Sequence, residues 1–326
     1  MTIRLIATGG TISSHLTDDG WIGLDGTSLV DELRSDLDAA GIEVEVIDVA
    51  AGPSSNLSVD DMVAIATHVR DALDEGVRGV VVTHGTDTIE LTAFVTELLL
   101  GVDASRPPVV FTGSMRVHSH PAPDGPANML QAIRTAAHPA AVGREVLVCL
   151  DGVLHAAARV VKCDAGSLDA FTSAPLGPVG HVVGGVPTFE TAAVPRPAAV
   201  AFERDVPLLA CYPGMPADAV SRALEGRRGA VLEVFGDLNV PMALWGPIHE
   251  AWKAGTLVVL ASRPFTATSR SEGLDLLGAI GAGGLGAQKA RLAAMAALGT
   301  HATRDEAIAF VHQHRLIRPP HERSST

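Results

Sequence analysis

A chain of 326 residues exceeds what one hydrophobic core usually serves, and with 47% hydrophobic and 19% charged residues it has the means to build two. Its net charge of -13, from 37 acids against 24 bases, and the lack of a long Lys/Arg cluster speak against a nucleic-acid partner. No apolar run approaches the ~20 residues that cross a bilayer, and MTIRLIATGG carries no secretory pattern, so the expectation is a cytoplasmic protein with no membrane partner.

In chain order, apolar runs at 3–7, 44–49, 79–83, 109–112 and 146–150 read as strands alternating with helical patterns, a βαβ signature. Met62, Ile65, Ala66, Val69 and Leu73 fall at three- and four-residue spacing, which gives the helix before the third strand one apolar stripe. Asp60 and Asp61 suit its positive N-terminal end. Strands joined this way run parallel, so their C-terminal ends open on one edge, where ligands bind.

From 177 to 197 the chain is rich in Gly and Pro, no helical period is traceable, and a boundary is expected. A second alternation follows, with strands at 206–212, 229–235 and 256–261, helices at 216–224 and 241–254, and helical segments at 288–298 and 304–314. The expected fold is α/β: a larger N-terminal domain (1–185) with a mostly parallel sheet flanked by helices, a linker (186–204) and a smaller C-terminal α/β domain (205–326). Cys149, Cys163 and Cys211 are odd in number and lack metal or redox spacing, so they read as reduced thiols.

Polar residues gather after the N-terminal strands: Thr11 after the first, Ser54 and Ser55 after the second, Thr86 and Asp87 after the third, Ser114 after the fourth. Each alone has a plain structural use, since Thr11 can cap a turn, Asp87 can cap the helix beginning near Thr88, and the serines can close loops. Parallel winding brings all of them to one sheet edge, and a cleft lined by hydroxyls and a carboxylate is a candidate catalytic site.

ATGGTI at 7–12 and THGTDT at 83–88 resemble the two signature motifs of bacterial-type L-asparaginases. The resemblance continues through GPSSNL (52–57), TGSMR (112–116), DGPAN (124–128), ARVVK (158–162), YPGM (212–215), GDLNVP (236–241) and QKAR (288–291). It implies a two-step acyl transfer on asparagine, with Thr11 as nucleophile, Thr86, Asp87 and Lys162 as a second polar group at the scissile amide, and Ser54 and Ser55 as substrate contacts. Ser114 and Asn239 are further candidates for binding the substrate. It also implies a homodimer or homotetramer, a small amino-acid substrate and no cofactor. A threonine hydroxyl needs a partner to take its proton, and Lys162 can do so only as a neutral amine. Asp87 can accept hydrogen bonds from a substrate α-ammonium.

Family members usually carry a tyrosine in the loop after the first motif. Here SSHLTDDGWIG places Trp21 at the matching position, and an indole N–H donates but cannot act as a base. The loop has the composition of a flexible lid, with Trp21 either covering the substrate or anchoring the loop. Tyr212, the sole tyrosine, is expected to pack on a strand of the second domain. Glu272 and Asp275 are candidates for the acid that the family supplies from a neighbouring protomer.

A metal is not expected: His118 with His120, and His312 with His314, lack the spacing of two ligands on one helix face. Neither GxGxxG, GxxxxGK[ST] nor GxSxG is present at the glycine-rich turn. The open alternatives are an amidohydrolase acting on glutamine or a D-amino acid amide, the ammonia-producing part of a tRNA-dependent amidotransferase, and a non-catalytic asparagine/aspartate-binding protein. The amidotransferase reading is disfavoured by the lack of an extra N-terminal domain and by the acidic charge.

Overall fold

The computed structural model describes residues 2–49, 52–264 and 273–317, which divide into two compact units, 1–195 and 196–326. In the first unit the strands are β1 (Thr2–Ala7), β2 (Ser14–Thr17), β3 (Gly20–Gly23), β4 (Glu43–Asp48), β5 (Val80–Thr83), β6 (Val109–Thr112), β7 (Leu147–Leu150), β8 (Val153–Ala156), β9 (Val161–Lys162), β10 (Phe171–Thr172), β11 (Gly180–Val183) and β12 (Val186–Phe189). Its helices are α1 (Gly26–Asp31), α2 (Arg34–Ala40), α3 (Val59–Asp74), α4 (Ile89–Leu100) and α5 (Gly125–Ala137).

Eight strands form one sheet in the order β12-β11-β8-β7-β6-β5-β1-β4. The pairs from β4 through β7 are parallel, whereas β8, β11 and β12 are added antiparallel. β5, β6 and β7 are buried along their whole length, as strands covered on both faces must be, and their sequences are accordingly continuous apolar runs. β4 is an edge strand, and its Glu-Val-Glu-Val alternation leaves both glutamates exposed. One face of the sheet packs Ile3, Leu5, Val81, Val110 and Leu147 against Leu29 and Val30 of α1, Leu37 of α2, and Met129 and Ile133 of α5.

α3 begins at a reciprocal cap in which Ser58 and Asp61 satisfy each other's backbone N–H. It buries Met62, Ile65, Ala66, Val69 and Ala72; Ala72 rather than the expected Leu73 completes the stripe. The chain leaves β1 for β4 on one side, then returns past β1 to β5 on the other. This reversal makes a switch point between the C-terminal ends of β1 and β5, the place where an open α/β sheet leaves a crevice.

Two segments differ from expectation. Within 177–197, Gly180–Val183 and Val186–Phe189 form an antiparallel hairpin, so the stretch expected as linker opens with a sheet strand. Its turn, Gly184-Gly185, has φ of 59° and 80°, values open to glycine, and glycine-rich composition there marks a hairpin turn instead of a boundary. The segment expected as a lid forms a hairpin, β2 against β3, with Leu16 opposite Trp21.

The second unit holds β13 (Leu208–Ala210), β14 (Gly229–Val234), β15 (Leu257–Ser262) and β16 (Ile280–Gly281) in one parallel sheet. Its helices are α6 (Ala217–Leu224), α7 (Trp245–Lys253), α8 (Leu274–Leu277), α9 (Ala287–Thr300) and α10 (Arg304–Gln313). Val220, Leu224, Leu232, Val234, Ile248, Val258 and Leu260 form its core. The expected strand at 206–212 shortens to Leu208–Ala210, and Tyr212 lies beyond it at 52% exposure, so it does not pack as expected. No helix among the described residues is long and apolar enough to cross a membrane.

Candidate active site

Four loops at the C-terminal ends of adjacent strands build the site, and glycines let them touch. After β1 the chain turns through Gly9 and Gly10, both at positive φ, into a single 3-10 turn, Thr11–Ser13. Gly10 has φ 92° and ψ -172°, a combination essentially confined to glycine. A Cβ on Gly10 would stand 2.6 Å from Gly85 N, and a Cβ on Gly85 would stand 2.6 Å from Ser54 Oγ. The Gly10 and Gly85 backbones thus leave no room for a side chain between them, and Gly85 lies against the Ser54 side chain. Ile12 plugs the other side of the turn into the core, leaving Thr11 partly exposed between a glycine and an anchor.

Beyond β5, Thr86 and Asp87 lead into α4, whose N-cap is Thr88; Asp87 does not serve as that cap. The Lys162 amine donates to Thr86 Oγ1 at 2.9 Å and to Asp87 Oδ1 at 3.0 Å. Thr86 is buried, the Lys162 side chain is 18% exposed and that of Asp87 is 63% exposed. A lysine sheltered beside a threonine hydroxyl is thus flanked by a carboxylate open to solvent, which retains acceptor capacity for an incoming cationic group. The hydroxyls of Thr11 and Ser54 carry no intramolecular hydrogen bond among the described residues, whereas Thr88 donates to the Ser54 carbonyl at 2.7 Å and fixes that loop to α4.

Not every candidate joins this group. Ser55 is near and exposed. Ser114 is fully buried, and its hydroxyl donates to the Arg116 carbonyl at 2.8 Å, closing its own loop. Trp21, 63% exposed, projects from the hairpin that follows Thr11. Asn239 belongs to the second unit, where its amide donates to the Gly236 carbonyl at 2.7 Å across a turn holding Asp237 and Leu238 at positive φ. Asp275 is exposed on α8, also in the second unit, and Glu272 lies outside the described residues.

Three residues with no role expected from sequence also shape the site. The Asp124 carboxylate accepts the N–H groups of Met115 and Arg116 at 2.8 and 2.9 Å, and Asn128 donates to the Gly113 carbonyl at 3.0 Å. Glu90 accepts the Lys162 backbone N–H at 2.5 Å. DGPAN and the acid one turn into α4 are visible in the chain, but nothing local says which loop an acid will bind. His84, within THGTDT, is buried beside Phe111 and donates from Nδ1 to the Gly85 carbonyl at 2.8 Å. Burial pushes its imidazole down to about 4, opposed by that hydrogen bond, and the ring is neutral near pH 7. Burial likewise pushes the Cys149 thiol up to about 12, and none of the three cysteines is in a disulfide. No cluster of His, Cys, Asp or Glu among the described residues has the make-up of a metal site.

Residues 2–195 match the family model "Asparaginase, N-terminal", and residues 205–309 match "Glutaminase/Asparaginase C-terminal domain". The chain belongs to the asparaginase family. Over 268 residues it is 35% identical to the "Probable L-asparaginase" of Deinococcus radiodurans, covering 80% of this chain and 79% of that protein. It is 32% identical over 287 residues to a component of the Glutamyl-tRNA(Gln) amidotransferase of Halobacterium salinarum, covering 80% of this chain and 65% of that one. The solved "Probable Cytoplasmic L-asparaginase" from Campylobacter jejuni superposes with a TM-score of 0.83 at 26% identity, over 96% of this chain and 99% of that chain. An asparaginase fold thus places THGTDT and ATGGTI on either side of the switch point, as the order of strands requires.

Proposed function

We propose that this asparaginase-family protein hydrolyses the side-chain amide of L-asparagine to L-aspartate and ammonia through an ester on Thr11. Thr11 Oγ attacks the amide carbon, its proton passes by way of the Thr86 hydroxyl and the Lys162 amine to the amide nitrogen, and that nitrogen leaves as ammonia as the tetrahedral intermediate collapses. Water then attacks the β-aspartyl ester, and the Thr11 proton is restored as aspartate departs. Asp87 receives the α-ammonium of the substrate on its solvent-facing oxygen, while Ser54 and Ser55 serve the α-carboxylate. The active form in this reading is a homodimer or homotetramer, to which Asn239 and the acids near 272–275 belong.

The observation that carries the reading is the contact of the Lys162 amine with both Thr86 Oγ1 and Asp87 Oδ1, on a loop whose Gly85 abuts the residue before Thr11. The test is ammonia release from L-Asn, L-Gln and D-Asn by wild type and Thr11→Ala. Wild type should favour L-Asn, and the variant should lose on the order of 10³-fold or more in kcat. Undiminished turnover by Thr11→Ala removes the nucleophile.

One observation favours a second reading. The sole tyrosine, Tyr212, lies in the second unit, and an exposed indole occupies the hairpin after Thr11. A protein that binds asparagine or aspartate without turning it over would show saturable binding of the amino acid and no ammonia from any of the three amides.

A further inference from the structure

Lys162 sits on β9, a strand of two residues paired only with the two residues of β10, apart from the main sheet. So short a ribbon is not stable by itself, yet the proposed reaction requires the Lys162 amine to be placed to a fraction of an ångström. The backbone N–H of Lys162 does not bond within the ribbon: it donates to Glu90 Oε2 at 2.5 Å. Glu90 stands three residues beyond Asp87, in the first turn of α4. One helix N-terminal segment therefore grips the lysine at both ends, Thr86 and Asp87 at its amine and Glu90 at its backbone.

We propose that Glu90 is a positioning residue for the amide hydrolysis, holding β9 against α4 so that the Lys162 amine reaches Thr86. The role is that of a hydrogen-bond acceptor of the right length in the first turn of α4. Glu90 does not touch the reacting atoms. This inference rests on the proposed function, because it assigns Lys162 a duty at the scissile amide.

The chain has three lysines, Lys162, Lys253 and Lys289, so selective ¹⁵N-lysine labelling gives a backbone spectrum of three signals in which the Lys162 amide can be followed directly. Glu90→Gln keeps an acceptor oxygen at the same reach; Glu90→Met keeps the length and loses the acceptor. With L-Asn, Glu90→Gln should hold kcat within about threefold of wild type, while Glu90→Met should lose roughly 10- to 100-fold in kcat with KM within about twofold. The Lys162 amide should exchange with solvent at least about tenfold faster in Glu90→Met than in wild type or Glu90→Gln. Should Glu90→Met not fold, Glu90→Asp, which draws the acceptor back by one methylene, should show the same loss of kcat. Three results overturn the proposal: wild-type kcat and Lys162 exchange in Glu90→Met, equal damage in Glu90→Gln and Glu90→Met, or a rise in KM with kcat unchanged. If wild type releases no ammonia, the functional reading fails alone, and Lys162 exchange still reports whether Glu90 holds the strand.

Discussion

Replacing Gly10 by alanine tests whether the contact between the two motif loops assembles the site. Two separate penalties apply. Gly10 occupies φ 92° and ψ -172°, a region that costs a residue with a Cβ on the order of 1–3 kcal/mol. The new Cβ would also stand 2.6 Å from Gly85 N and 2.7 Å from Gly85 Cα, where ordinary contact begins at 3.4 Å. Those are backbone atoms that no rotamer change can move aside, so the loops must part by several tenths of an ångström, an overpacking cost of roughly 1–3 kcal/mol. The sum, roughly 2–6 kcal/mol, is a large share of the ~5–15 kcal/mol that holds a domain folded. Because the same displacement separates Thr11 from Thr86, kcat for L-Asn should fall about 100-fold in whatever fraction remains folded. The assay is urea titration read by hydrogen exchange in β1 and β5, beside turnover. Gly20→Ala is the control: φ is 120°, but nothing lies within 4 Å of its Cβ position, so only the backbone term of about 1–2 kcal/mol applies. A Gly10→Ala protein within about 0.5 kcal/mol of wild type, or no less stable than Gly20→Ala, would refute the reasoning.

Two further predictions concern buried polar groups. Ser114→Ala should cost about 1–2 kcal/mol of stability through loss of the bond to the Arg116 carbonyl, with KM for L-Asn unchanged; a large rise in KM at unaltered stability would return Ser114 to the substrate. His84 has a folded-state value of about 4 against 6.5 for an ordinary imidazole, so between those values the unfolded chain binds a proton that the folded chain does not. Its contribution to stability is therefore complete above pH 6.5 and is lost as the pH falls toward 4, with a slope approaching ~1.4 kcal/mol per pH unit. Urea midpoints of wild type and His84→Gln across that window should converge at the acid end, and parallel curves would show that His84 is not buried neutral.

The N-terminal sheet is legible in the chain because its parallel strands are buried on both faces: a run such as Val80–Thr83 has no polar position to blur it. The β11–β12 hairpin is not, since Gly and Pro mark a tight turn and a linker alike, and only pairing with β8 distinguishes them. Tyr212 misleads for a related reason, because three residues of paired strand look like seven when the flanking residues are apolar. Within the site, Thr11, Thr86, Asp87 and Lys162 come from the resemblance of their motifs to the asparaginase family, and the fold brings Lys162 to Thr86 and Asp87. Ser114 matches its motif equally well, yet the structure turns its hydroxyl to its own loop.

The amino-acid sequence by itself determined the alternation of buried strands and helices, and with it the single edge on which the polar residues must collect. It also determined where the backbone could bend, because Gly9-Gly10 and Gly85 are written in the chain. Only the tertiary structure decided which of the collected groups meet and which bond elsewhere. Glu90 holding the backbone of a lysine 72 residues away is a matter of distance in space, and hydrogen bonding depends on tenths of an ångström that no periodicity encodes.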